Sequence, residues 1–315
     1  VYLRPIRKTI GGMSTGETLK TLRGHLMLLG AAVLWGCNAP MIKDLQSLGV
    51  SALAVADMRA VGAAVAFWVT SLFVGGGERV SVSMLGRLCV AGILCIVLNQ
   101  VLFTVGVTYT SPIDATVIAT MLPIVTMIFS AIILKETVTG AKLVGILVGA
   151  AGAVTLVLGG GGALAGGGLL GDALCLTAQV SCALYMVIFS NTIHRYSVVT
   201  LMKWLFLFAA VIVTMVTWPV VSSVDYAALP LRAWGEILFI VFGGTFVSYV
   251  FFTGGQKLLR PTVVSMYNYV QPIVATVLSV AMGVGTFGLG KLVSMAMVFG
   301  GVYIVTHAKN SAVKG

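Results

Sequence analysis

Apolar positions in this chain do not alternate with polar ones at the spacing of a half-buried strand or an amphipathic helix; they run on. Long apolar stretches lie near 22–42, 52–74, 88–109, 113–134, 143–158, 169–190, 198–221, 237–255, 262–282 and 289–307. Most hold about twenty residues, enough to cross the ~30 Å hydrocarbon layer as a helix. A spanning β-barrel needs short strands that alternate apolar and polar residues, and no such alternation is present. The pattern predicts an all-α integral membrane protein with ten transmembrane helices.

The chain also repeats itself. Pro112 and Pro123 recur 149 residues later as Pro261 and Pro272, and the tripeptide "PIV" at 123–125 returns at 272–274. Gly106 maps to Gly255 and Lys142 to Lys291 at the same offset, and "DMR" at 57–59 aligns with "LMK" at 201–203. Five helices is an odd number, so the second copy enters the membrane from the opposite side. The expected architecture is therefore two inverted five-helix repeats, 22–158 and 169–307, which lets one central site open alternately to either face. The glycine-rich run 159–168 reads as an external linker, with tails at 1–21 and 308–315.

Charge settles orientation. Of the 19 Lys and Arg residues, fourteen fall on the N-terminal tail, the C-terminal tail and alternate loops; only Lys43, Arg232 and Lys291 fall on the other set. By the positive-inside rule both termini are cytoplasmic, as expected of a multi-pass protein of the cytoplasmic or inner membrane. The same bias accounts for the net charge of +10 without a nucleic-acid partner. All 5 cysteines lie inside apolar runs, where they act as small apolar residues, and no metal motif is present. The first apolar run is too long for a cleavable signal peptide, and Met13 is a candidate start.

Ten spans as five plus five, "LGAAVLWGCNAPMIK" near the start, "LPIVTMIFSAIILKETVTGAKLVGILVGAAGAVTLV" at 122–157 and "GGVYIVT" near the end resemble the drug/metabolite transporter superfamily, EamA-like branch, from about residue 22 to 307. The resemblance implies a central cavity surrounded by the first, third, fourth, sixth, eighth and ninth helices. It also implies export of metabolites or amino acids. One departure is visible. The family commonly carries an acidic residue at the end of the fourth helix of each repeat; Glu136 fits, but Gly285 stands at the aligned position.

The candidate site starts at "SMYNYVQPIVATVLSV", 265–280. Tyr267, Asn268 and Gln271 share one helical face, and polar groups cannot face hydrocarbon without partners. Their aligned positions in the first half are Ile118, Ala119 and Leu122, so only one copy bears the polar groups, as recognition of an asymmetric solute requires. The other reading is helix-to-helix adhesion. Pro272 and Pro123 remove helix hydrogen bonds and are expected as gating hinges. Asn99 and Gln100, Tyr249, Trp35 and Asn38, and Tyr185 are further intramembrane candidates for solute contact or packing. Arg59 and Lys203 occupy matching places in the two halves, either snorkelling to headgroups or supplying a positive charge at each gate. Gly145, Gly149 and Gly152, with Gly300 and Gly301, form small-residue stripes suited to close packing or to dimerisation.

"GVGTFG" at 283–288 and "GTFGLGKL" at 285–292 imitate nucleotide-binding loops, but both require a strand before them and are set aside. The expected function is a secondary carrier and exporter of small organic metabolites, amino-acid-like solutes favoured. It works without a cofactor or metal, as a monomer or homodimer in the bilayer. Runners-up are a carrier of lipid-linked, sugar or nucleotide-type substrates and a non-transporting solute sensor. An intramembrane enzyme would need a Ser–His pair, a His–Glu zinc motif or paired aspartates within spans, and the sequence has none.

Overall fold

The computed structural model describes residues 15–74, 78–109, 118–158, 169–281 and 289–308. The 159–168 linker, most of both expected tails, Pro112, Gly285 and the 283–288 motif lie outside the described residues. Those that are described form helices and turns, with no strand among them.

The helices follow the apolar runs. They are α1 (Thr15–Ser47), α2 (Ala52–Phe73), α3 (Val82–Tyr109), α4 (Leu122–Ile133) and α5 (Gly140–Leu158) in the first half. The second half holds α6 (Leu169–Ile188), α7 (Val198–Val221), α8 (Leu231–Gln256), α9 (261–281) and α10 (Leu289–His307). Among the described residues, five helices (α2, α3, α6, α7 and α8) are long and apolar enough to cross a membrane, and shorter apolar helices lie at Leu122–Ile133, Gly140–Gly152 and Leu292–Val305.

Local chemistry sets the ends. Ser51 caps α2 by accepting from the Ala54 amide at 3.2 Å, and Ser197 caps α7 by accepting from the Thr200 amide at 3.2 Å. The same serine cap thus opens the second helix of each half, satisfying a donor that the first turn leaves without a partner. Helix α1 ends where Gly49 adopts φ +88°, a conformation glycine takes without a Cβ penalty, and the Val50 amide turns back onto the Leu45 carbonyl at 3.0 Å.

Two features go beyond a regular-helix reading. Both α3 and α8 widen into π-helix over nine residues, Ile93–Val101 and Phe239–Val247. The wide turns sit at corresponding places in the two halves. Helix α9 tightens to 3₁₀ at Tyr267–Tyr269 before resuming as Val270–Ala281, and α4 is preceded by a turn at 120–121. Irregular turns thus lie just ahead of both prolines, the turn at 120–121 before Pro123 and the 3₁₀ turn Tyr267–Tyr269 before Pro272, where the proline cannot donate to the preceding turn.

The two halves interlock. Helix α2 packs along α7, α5 along α10, α1 against α8 and α9, and α6 against α3 and α4. Gly145, Gly149, Gly152 and Gly301 are packed inside the chain, while Gly300 faces open space: a Cβ on Gly301 would lie 2.5 Å from the Gly145 carbonyl oxygen and 2.6 Å from the Gly149 amide nitrogen. Without side chains there, α5 and α10 reach backbone contact, the packing that replaces hydrophobic driving force within a bilayer. The largest core joins α2, α3, α6, α7 and α8 through Phe67, Leu88, Ile96, Tyr185, Phe206 and Tyr249. A second core closes around Leu45, Val50 and Ile237, and a third joins α5, α9 and α10 around Ile146, Tyr269 and Val298.

Candidate functional site

The polar run in α9 is interlocked with its neighbours. The Tyr267 hydroxyl lies 2.6 Å from Nδ1 of His25 on α1. The Asn268 amide donates to the Ala119 carbonyl at 3.3 Å and accepts from the Gln271 amide at 2.8 Å. Tyr269, on the opposite face, reaches α5 by donating to the Ile146 carbonyl at 3.3 Å. Asn268 and Gln271 thus hold each other, and Asn268 ties α9 to the segment leading into α4.

A second polar group lies where α1, α2, α3, α6 and α8 meet. Arg59 is buried, 7% exposed, and its Nε donates to the Thr245 hydroxyl at 3.0 Å. Thr245 in turn donates to the Ile240 carbonyl at 2.8 Å, five residues back along the π turn. Tyr249 is one turn beyond Thr245, and its hydroxyl points toward the Cys95 carbonyl at 3.5 Å. Gln100 is 3% exposed; its amide approaches the Tyr249 hydroxyl without closing a hydrogen bond of good geometry, and neither end has a partner. Tyr185 is fully buried beside Cys95 and Cys182, and its hydroxyl has no nitrogen or oxygen partner.

Aromatic rings wall this group. Tyr249 meets Phe206 edge-on at 5.0 Å between centroids and Trp35 at 5.7 Å, and Trp35 leans on Phe252 at 5.0 Å. Each unpartnered buried polar group costs ~1–3 kcal/mol. Several at one place are what a protein keeps for water or a ligand.

The remaining sequence candidates have structural partners. Asn99 donates to the Ala178 carbonyl at 3.0 Å, joining α3 to α6. Asn38 donates to the Gly244 carbonyl at 3.1 Å, while its Oδ1 is buried without a partner. Gly244 makes this approach possible, since a Cβ there would fall 2.0 Å from the Asn38 oxygen. Lys203 is buried with Nζ 5.0 Å from the Trp68 ring centroid, a cation–π contact. Both Arg59 and Lys203 are buried within the protein. Pro123 and Pro272 are both buried at the starts of their helical segments.

Sequence reading missed Thr245, whose role depends on the π turn, and the partners of Asp57. That carboxylate accepts from the Thr214 and Thr217 hydroxyls of α7 at 2.6 and 3.2 Å. The "VTMVT" spacing on α7 was the available signal. Among the described residues no group of three or more His, Cys, Asp or Glu side chains is placed to hold a metal ion.

The sequence pattern of the EamA-like transporter family matches residues 22–158 and 169–307. The chain belongs to the EamA-like transporter family. It is therefore a multi-pass membrane transporter with a tandem EamA-like match. Its relatives agree: the Bacillus subtilis protein named "Uncharacterized transporter YyaM" is 25% identical over 91% of this chain and 92% of that protein. An "Uncharacterized transporter" of Archaeoglobus fulgidus is 24% identical over 91% of this chain and all of its own length. A solved structure, described only as a crystal structure of protein, shares the fold of this EamA-like chain. It has a TM-score of 0.71 at 19% identity, covering 92% of this chain and 98% of the other.

Proposed function

We propose that this EamA-like transporter exports small organic metabolites, amino-acid-like solutes favoured, by alternating access at the polar group between α1, α2, α3, α6 and α8. In this reading the chain crosses the cytoplasmic membrane ten times as two inverted repeats, with both termini in the cytoplasm. The observation that carries it is the set of buried hydrogen-bonding groups without partners, Gln100 and the Tyr185 hydroxyl, enclosed by Trp35, Phe206 and Tyr249. Such a site offers apolar contact and a few fixed polar groups, the usual make-up of a small-molecule site.

The irregular turns before Pro123 and Pro272 lie just ahead of α4 and within α9, the segments that carry the Ala119–Asn268 contact. Small changes at those turns would open the bundle toward one face while closing it to the other, as inverted repeats permit. The test is counterflow in proteoliposomes with a panel of amino acids, sugars, nucleosides and organic cations, run on wild type, Gln100→Leu and Tyr185→Phe. Saturable flux of one class, reduced at least tenfold in both variants, supports the reading. Flux unchanged in both would move the site elsewhere.

A lipid-linked substrate is the second reading, and one feature favours it. A groove of about 340 Å³ runs beside α1 and α8, lined by Leu19, Leu22, Leu26, Met27 and Phe251 with Arg23 at its edge. Flux of soluble probes that is absent while a lipid-linked sugar is moved would select it.

A further inference from the structure

We propose that Arg59 is the anchor for the carboxylate of the transported solute. The inference rests on the site described above and gives it a charge preference that the neighbouring amides and phenols alone would not have.

Arg59 lies within α2, a 22-residue helix, about 5 Å from the helix midpoint at 1.5 Å rise per residue. A cation at that depth is costly and marks function unless something neutralises it. Nothing among the described residues does. The ion pairs found there join Lys142 to Glu136 and Arg232 to Asp44 and Glu236. Asp57, two residues from Arg59, lies on a different face of α2 and is held by Thr214 and Thr217. The guanidinium's hydrogen bond is with a neutral hydroxyl, Nε to Thr245 at 3.0 Å.

A guanidinium presents five N–H donors in a planar fork, and that fork matches the two oxygens of a carboxylate. The surroundings suit the rest of such a molecule. Thr245, which Arg59 grips, is one helical turn from Tyr249 on α8, and Tyr249 faces Trp35 and Phe206. The unpartnered Gln100 amide lies beside the same tyrosine. A bound carboxylate would neutralise Arg59 and supply Gln100 with a partner, while its apolar part packed on the rings. A structural clamp between α2 and α8 needs only the Thr245 hydrogen bond, which an uncharged side chain can make.

The test uses matched probes on the full chain in detergent: phenylacetate against phenylacetamide, and leucine against leucinamide. The acid of at least one pair should raise the unfolding midpoint and bind at least about tenfold tighter than its amide. Arg59→Lys should keep a weaker shift, and Arg59→Gln should show none. Without probe, Arg59→Gln should unfold at or above the wild-type midpoint, because a buried unneutralised cation has been removed. Equal shifts from acid and amide, no shift from either acid, or wild-type shifts in Arg59→Gln would each overturn the proposal. A clear fall in the midpoint of unliganded Arg59→Gln, or its failure to fold, would make Arg59 a clamp and overturn it too.

Flux separates this inference from the carrier reading. Proteoliposomes that move acid and amide alike, in wild type and Arg59→Gln, keep the carrier and discard the anchor. Acid-specific binding at Arg59 with no flux of any probe keeps the anchor and discards the carrier.

Discussion

The side-chain amide of Asn268 donates to the backbone carbonyl of Ala119, 3.3 Å away and 149 residues earlier in the chain. That separation is also the offset at which Pro123 recurs as Pro272, so Asn268 touches its own counterpart in the other repeat. Two copies of a fold can meet at equivalent positions only near their junction. The contact sets the segment leading into α4 beside the 3₁₀ turn of α9, with one polar partner supplied by the second copy.

Replacing both Asn268 and Gln271 by Ala should reduce flux at least tenfold while the protein still folds. One of their hydrogen bonds joins α9 to the segment leading into α4 and the other lies within α9; such bonds are worth ~1 kcal/mol each in a bilayer, too little to unfold the bundle. Proteoliposome flux and the unfolding midpoint measured on the same preparations decide it. Normal flux would reduce the pair to adhesion between helices.

Gly244→Ala should destabilise the protein by ~1–3 kcal/mol, the usual cost of forcing a methyl into a filled space, because the new Cβ falls 2.0 Å from Asn38. Adding Asn38→Ala should recover part of that loss, since the two sites share one clash. A double variant no more stable than Gly244→Ala alone would place the strain elsewhere.

Gly301→Leu should be worse than any single loss of a hydrogen bond. The contact it breaks is between backbones, Gly301 against Gly145 and Gly149, and neither chain can rotate out of the way as a side chain can. Loss of a monodisperse peak in detergent is the expected result, while Gly290→Leu, with open space around its Cβ position, should behave as wild type.

Glu78 predicts a pH effect outside the membrane. Its carboxylate accepts from the Ser197 amide at 3.2 and 2.9 Å, ahead of α7. Burial pushes its pKa up, but the hydrogen bonds of the Ser197 amide and of the Thr200 and Ser197 side chains, with the charge of Lys257, bring it net below the usual carboxylate range. Lys257 is itself tied to the Tyr196 carbonyl. A group with its folded pKa depressed stabilises the fold above its unfolded value of ~4.3 and loses that contribution as pH falls through the folded pKa. Glu78→Gln should therefore cost under ~1 kcal/mol at pH 7, as suits an exposed charge. The difference from wild type should vanish in acid, and unfolding midpoints at pH 7 and below pH 4 test this.

Much of the helical plan was legible because the signal is the length of apolar runs, and the limits of α2, α7 and α10 lie within a residue of the runs that predicted them. The proline positions ahead of which the turns lie were legible for the same local reason, whereas the serine caps at Ser51 and Ser197 came only from the structure. The central site was legible only as a collection of types. Tyr185, Gln100, Tyr249 and Trp35 were picked out as polar or aromatic residues inside spans, yet nothing in their spacing says which have partners. Asn99 and Gln100 are adjacent in sequence, but one is bonded to Ala178 and the other is bonded to nothing. Arg59 read most simply as a shallow, snorkelling cation, because sequence does not reveal that α8 offers Thr245 at the right height.

The sequence by itself determined that this protein crosses a membrane as helices, that its second half repeats its first, and which residue types each copy contributes. Those properties depend on run length, offset and local chemistry, all of which act along the chain. Only the tertiary structure decided which polar groups are paired. Pairing depends on the π turns that rotate one face of α3 and α8, and on glycines that let helices 149 or more residues apart in the chain close to backbone contact. In hydrocarbon a polar group is governed by the partner that packing brings to it, and packing is a property of the folded whole.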